Sequence, residues 1–185
     1  MMMPIFPILT DRLELRRFSR DDLKDFQAYR SDLELSRYQG WEPTSDDDAR
    51  TFLDNQSVQA FGSEGQWLQI AVTCRKSKRL IGDFGVCVSD SKRGIATMGF
   101  TISRPFQRNG YASEAAHGIL SRLFETNEIN DVVCETDARN NGAIMLLQRL
   151  GFTLTKTNAT IFRSETCMEH TFAMSAMQWC THEAR

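Results

Sequence analysis

Ile95-Ala96-Thr97-Met98-Gly99-Phe100-Thr101-Ile102-Ser103, then Arg104-Pro105-Phe106-Gln107-Arg108-Asn109-Gly110, then Tyr111-Ala112-Ser113-Glu114-Ala115-Ala116-His117-Gly118-Ile119-Leu120 is the stretch that decides the fold. It reads as an apolar strand, a short glycine-bearing loop and a helix. Ala112, Ala115, Ala116, Ile119, Leu120 and Leu123 recur at helical spacing, so the helix is expected over Tyr111 to Glu125 with that stripe buried. The first turn of such a helix has N–H groups without partners in the helix, and the macrodipole adds partial positive charge. A phosphate or diphosphate suits that spot. Gly110 permits positive φ and close approach of a ligand to the backbone, Ala112 keeps the first turn low, and Arg108 adds a full charge.

Upstream, Leu13 and Leu15 alternate with Glu14 and Arg16 over Arg12–Phe18, a first strand. Ser19 caps a helix with Asp21 and Asp22 in its first turn and Leu23, Phe26 and Arg30 at helical spacing. An aromatic, irregular segment, Arg37-Tyr38-Gln39-Gly40-Trp41-Glu42-Pro43, precedes a second helix capped by Ser45, with Asp46, Asp47 and Asp48 behind the cap and Ala49, Phe52 and Leu53 on its apolar side. Trp67–Cys74 and Leu80–Val88 read as a hairpin whose tip is the basic run Arg75–Arg79; Gly82 and Gly85 mark a bulge or close backbone approach. Trp67 and Trp179 are expected in the core.

Downstream, Asp131–Asp137 is a strand and Asn141–Leu150 a helix stopped by Gly151. Phe152–Thr157 and Thr160–Phe162 flank an expected turn at Asn158, and His170–Ala176 closes the sheet; His182 is expected in a frayed tail. The order β-α-α-β-β-β-α-β-α-β-β predicts an α+β fold, an α/β/α sandwich. Its mixed, mostly antiparallel sheet of about seven strands has helices on both faces.

The 185 residues are read as one domain with a core over about 10–180. A net charge of −2 gives no basic footprint, which argues against nucleic acid and mildly favours an amine-bearing substrate. No apolar run approaches a membrane span, and Met1 to Thr10 lacks the marks of a signal peptide. Cys74, Cys87, Cys134, Cys167 and Cys180 are scattered without C-x-x-C spacing, so no metal site is expected, and a reduced, cytoplasmic setting fits. Each cysteine is read as a small core or strand residue. Oligomeric state is left at monomer or homodimer.

Gln107-Arg108-Asn109-Gly110-Tyr111-Ala112 resembles the Gln/Arg-x-x-Gly-x-Gly/Ala loop of the GCN5-related N-acetyltransferase (GNAT) superfamily. Thr136-Asp137-Ala138-Arg139-Asn140, with Leu150-Gly151-Phe152 after the next helix, is similar to the family's second signature. The opening Thr10–Arg16 and the Gly40-Trp41 pair resemble the RimJ/RimL-like branch, the ribosomal-protein N-terminal acetyltransferases. The likeness covers nearly the whole chain. It implies the GNAT fold and a loop, Gln107–Ala112 with Ser113, that holds the diphosphate of acetyl-coenzyme A. It also implies an Asn140 contact to the pantetheine arm and a thioester polarised by main-chain atoms around Phe100, Thr101 and Ile102. The activity implied is acetyl transfer from acetyl-coenzyme A to a primary amine of a protein N-terminus, amino acid or small amine, within a ternary complex.

Two departures stand out. Many family members carry a glutamate on the strand before the loop; here that strand reads Thr97-Met98-Gly99-Phe100, and Glu135 on the next strand is the candidate base, or else a solvated strand residue. Asp83, Glu165, Glu169 and His170 are weaker candidates. Where relatives place a serine or tyrosine acid, this chain has Ala143 and Leu147; Tyr111, Ser113 or a water are the alternatives. Tyr38 and Trp41 either line the acceptor site or staple their loop to the core. The alternative function is a non-catalytic acyl-coenzyme A sensor of the same fold, and a further rival is transfer of a longer acyl group.

Overall fold

The computed structural model describes residues 6–42 and 45–184, so Pro43 of the irregular segment and the first residues of Met1–Thr10 lie outside them. The strands are β1 (Ile8–Leu9), β2 (Leu13–Arg16), β3 (Trp67–Cys74), β4 (Leu80–Asp90), β5 (Ile95–Ile102), β6 (Asp131–Asp137), β7 (Thr153–Phe162) and β8 (Glu165–Ser175). The helices are α1 (Leu23–Arg30), α2 (Leu33–Ser36), α3 (Asp46–Val58), α4 (Tyr111–Glu125), α5 (Asn141–Arg149) and α6 (Ala176–Glu183). One eight-stranded sheet has the order β1-β2-β3-β4-β5-β6-β8-β7. Every neighbouring pair is antiparallel except β5 and β6, which run parallel.

The expected α+β sandwich is present, with one strand more than the reading of about seven: β1, a two-residue strand that pairs Ile8 with Leu15. Alternation on the strands divides their side chains between two cores. On one face, Leu68, Ile70 and Val72 of β3, Phe84 and Val86 of β4 and Met98 of β5 meet Ala115, Ala116, Ile119, Leu120 and Leu123 of α4, Leu146 and Leu147 of α5 and Trp179 of α6. Each large side chain buried there contributes about 1.5–3 kcal/mol of transfer free energy. On the other face, Phe26 and Tyr29 of α1 and Ala49 and Leu53 of α3 cover Ala71 of β3 and Leu80 of β4. Their aromatic rings pack edge to face and stacked, Phe26 lying 5.1 Å from Phe52.

Gly82 explains how β4 and β5 come together. Val72 opposes Gly82 while Thr73 opposes Leu80, so Ile81 is the extra residue of a bulge. A Cβ at Gly82 would lie 2.2 Å from the Thr101 carbonyl oxygen, so only glycine fits.

Four readings are corrected. No turn forms at Asn158: β7 runs through it, and the chain reverses at Arg163 and Ser164, both at positive φ. Trp67, the first residue of β3, is 43% exposed. The C-terminal tail is a helix, α6, opened by a capping box between Ser175 and Gln178; His182 stacks on the buried Trp179 ring. Cys180 is exposed on that helix, while the other four cysteines are buried.

Candidate active site

The parallel pair β5–β6 is joined at only three positions: Ile95 to Asp131, Ala96 to Val132 and Thr97 to Val133. Beyond them β5 stays with β4 and β6 with β8, so a wedge opens between Met98–Ile102 and Cys134–Asp137. Carbonyls on the β5 wall of this wedge are engaged from outside the ladder. The Gln39 side-chain amide donates to the Phe100 carbonyl at 3.2 Å, and the Gln107 amide donates to the Ile102 carbonyl at 2.8 Å. In a strand the N–H and C=O of one residue point to the same side, so the N–H groups of Phe100 and Ile102 face the wedge as well. Thr101 faces the other way. It is buried, and its carbonyl lies against Gly82 of β4, so of the three residues expected to line the thioester it offers its main chain to β4 instead.

The loop follows directly. Gly110 is the N-cap of α4 in the left-handed conformation, φ 79°, and Arg108 also has positive φ, 60°. α2, α3, α5 and α6 each begin with a side chain that accepts a first-turn N–H: Asp32, Ser45, Asn140 and Ser175. α4 has no such cap. Among the described residues nothing accepts from the N–H groups of Arg108, Asn109, Gly110, Tyr111, Ala112 or Ser113. The lip of the wedge thus presents a run of free donors at the positive end of a 15-residue helix.

Asn140 sits across the wedge at the end of β6. Its Oδ1 accepts from the Ala143 N–H at 3.2 Å, capping α5, which leaves its Nδ2 as the group that can meet a ligand. Asp137, three residues earlier, is bound to Arg139 through two guanidinium contacts of 2.9 and 2.7 Å and the Arg139 backbone N–H at 2.8 Å. The Arg139 hydrogen bond holds its carboxyl down to about 2.

Glu135 is exposed and makes no ion pair among the described residues. By alternation it shares a face with Asp137, and through the β6–β8 register with Thr171 and Glu169. Burial, then repulsion from Glu135 and Asp137, push Glu169 above the usual carboxylate range, opposed by Lys156. Gly99 lies on the same face of β5, and a Cβ there would meet nothing within 4 Å. β5 is therefore open at Gly99 on the face that bears Glu135.

Asp83 drops out as a base. Its carboxylate is buried and paired with Arg30 at 2.5 Å, and burial raises its pKa. Arg30 in turn stacks under Trp41 at 4.4 Å. Trp41 thus packs its ring on the α1 core while its carbonyl accepts from Arg163 at 2.7 Å. Tyr38 is half-buried beneath the Arg37 guanidinium. The loop that holds both aromatics reaches the wedge through Gln39. His170 donates to or accepts from Thr157 at 2.9 Å, and Glu165 lies exposed at the far end of the β7–β8 hairpin. Ala143 and Leu147 are buried against the core.

Residues 12–153 match the acetyltransferase (GNAT) domain family. This chain belongs to the GNAT acetyltransferases. The uncharacterized N-acetyltransferase YoaA of Bacillus subtilis (strain 168) is 31% identical over 150 residues, 80% of this chain and 84% of YoaA. The uncharacterized N-acetyltransferase p20 of Bacillus licheniformis is 27% identical over 146 residues, 78% of this chain and 81% of p20. Among solved structures, RimL, a ribosomal L7/L12 alpha-N-protein acetyltransferase in complex with coenzyme A, superposes with a TM-score of 0.78 at 15% identity, covering 95% of this chain and 98% of RimL. A GNAT-family acetyltransferase from Bacillus anthracis gives 0.81 at 19% identity, covering 93% and 99%. A chimera of the spermidine N-acetyltransferase SpeG from Vibrio cholerae gives 0.75 at 16% identity, covering 92% and 99%. At these identities the structural likeness speaks for the fold of this acetyltransferase.

Sequence reading missed Gln39, Arg12 and Arg163. Each reaches the site across a long stretch of chain, 61 residues for Gln39 to Phe100, 97 for Arg12 to Asn109 and 122 for Arg163 to Trp41. No local pattern carries such contacts.

Proposed function

We propose that this GNAT acetyltransferase moves the acetyl group of acetyl-coenzyme A directly to a primary amine. The observation that carries the reading is the uncapped start of α4 beside an open wedge: six successive N–H groups, Arg108 to Ser113, have no partner among the described residues. A diphosphate supplies the acceptors they lack. The pantetheine arm then follows the wedge between β5 and β6, with the Asn140 amide on one wall and the Phe100 and Ile102 main chain on the other. An N–H that faces the wedge polarises the thioester carbonyl, and it develops its full strength as oxyanion character grows. Holding donor and acceptor together replaces a bimolecular encounter.

The amine approaches on the face that bears Glu135 and Glu169, beneath the loop of Tyr38 and Trp41. The carboxylates attract a cationic amine, and Glu135 removes its proton, directly or through a water, so that the neutral amine attacks. The carbonyl carbon then passes from sulfur to nitrogen and coenzyme A leaves as thiolate. A cysteine relay is disfavoured: burial pushes the Cys134 thiol far up, and burial with repulsion from Asp137 raises Cys167. The acceptor class takes in what the structural neighbours are named for, a protein N-terminus and spermidine, together with single amino acids.

The test is thiol release from acetyl-coenzyme A against an amine panel of N-terminal peptides, amino acids and polyamines. Amine-dependent release is expected, and Glu135→Gln should lower it about a hundredfold with coenzyme A affinity unchanged. Coenzyme A binding without stimulation by any amine would overturn the transfer chemistry in favour of a sensor. An unchanged rate in Glu135→Gln would remove that residue as base.

A further inference from the structure

We infer that Arg12, just ahead of β2, is a further determinant of diphosphate binding: it turns the Gly110 amide outward and sets its own charge beside it. The inference rests on the acetyl-coenzyme A reading above and names a residue from outside the loop.

The geometry starts at Glu114, in the first turn of α4. Its carboxylate accepts from the Thr10 hydroxyl at 2.5 Å, from the Arg12 backbone N–H at 2.8 Å and from Arg12 Nε at 2.6 Å. The guanidinium, thus anchored, lies 4.5 Å over the Tyr111 ring, and its Nη1 donates to the Asn109 carbonyl at 2.9 Å. In a trans peptide the C=O and N–H point in opposite directions. Drawing the Asn109 oxygen toward Arg12 therefore turns the Gly110 N–H away from Arg12, toward the open side of the loop. The loop uses the same device earlier: Asn109 Nδ2 donates to the Gln107 carbonyl at 2.9 Å, which fixes the direction of the Arg108 N–H.

One part of the guanidinium remains uncommitted. Arg12 Nη2 has no acceptor among the described residues and stands 3.3 Å from the point where a Cβ on Gly110 would lie. A half-exposed arginine held by an ion pair and a ring has already lost most of its rotamer freedom, so further hydrogen bonds cost little ordering. Glu114 remains ionised to support it: burial works against the charge, but the hydrogen bonds from Thr10 and Arg12 outweigh it and hold the carboxyl below its ordinary value.

The experiment is calorimetric titration of the wild type, Arg12→Met and Arg12→Lys with coenzyme A and, separately, with pantetheine, which lacks the diphosphate. Arg12→Met should bind coenzyme A about tenfold more weakly, Arg12→Lys should recover part of that loss, and pantetheine should bind all three alike. In 15N–1H spectra, the shift of the Gly110 amide on adding coenzyme A should shrink in Arg12→Met. Wild-type affinity for coenzyme A in Arg12→Met, or equal losses for both ligands, would overturn the inference. A wild type that binds neither ligand would overturn the acetyl-coenzyme A reading itself. Should Arg12→Met not fold, Glu114→Gln keeps the arginine but loosens its anchor, and the same contrast between the two ligands decides.

Discussion

Helices α3 and α4 enter the fold in similar ways, each from a loop and each with one apolar stripe on the sheet, yet their first turns are treated oppositely. At α3 the Ser45 hydroxyl takes the Asp48 N–H at 3.2 Å, and three aspartates crowd the turn. The cap meets one of its first-turn donors, and the aspartates repel an anion. At α4 glycine stands in the cap position, no side chain bonds back, and the one carboxylate of the turn, Glu114, is bound to Arg12. Unpaired backbone donors are costly unless water or a ligand meets them. The difference teaches which end this protein closes for its own stability and which it leaves for a partner molecule.

That contrast is open to direct attack. Gly110→Asp sets a carboxylate against the diphosphate and should abolish coenzyme A heat in calorimetry at millimolar ligand. Because aspartate tolerates positive φ better than most residues, it should cost at most about 1–2 kcal/mol of stability in a melt. Retained binding would show that the open end of α4 is not the anion site. Asp83→Ala tests the closed interior, where it strands the buried Arg30. It should destabilise by about 3–5 kcal/mol in urea unfolding, with the affinity of the remaining folded protein for coenzyme A unchanged. Asn140→Ala falls between the two. Loss of the α5 cap should cost about 1 kcal/mol, and loss of its amide should weaken coenzyme A binding by up to about tenfold. Ser45→Ala should have the smallest effect, about 1 kcal/mol or some 2–4 °C in melting temperature, with no change in ligand affinity.

The strand–loop–helix unit was legible because it is local: glycine at the cap, alanines in the first turn and a helical stripe lie within a few residues of one another. The observed α4 has the expected bounds, and β6 likewise. What stayed hidden depends on distance along the chain or on weak local signals. Nothing in Gln39 announces a bond to Phe100. Arg163 and Ser164 turn the chain at positive φ with neither glycine nor asparagine to mark it, whereas Asn158, a residue typical of turns, sits inside a strand because β8 pairs with it. Ser175 with Gln178 did carry a readable helix start for α6. Trp67 went astray because it opens β3, where the strand is exposed before burial begins at Leu68.

The three-position parallel seam has a consequence for how the molecule comes together. β3, β4 and β5 are successive hairpins, and β7 and β8 form another, so both parts arise from contacts near in sequence. Such contacts form quickly, while those that close long loops lag. The β5–β6 seam, with partners 36 residues apart such as Ile95 and Asp131, closes a longer loop than these hairpins do, so it is expected to form after them. A molecule lodged between the two parts would act as a rivet, tying together pieces that the backbone itself joins over only a short length.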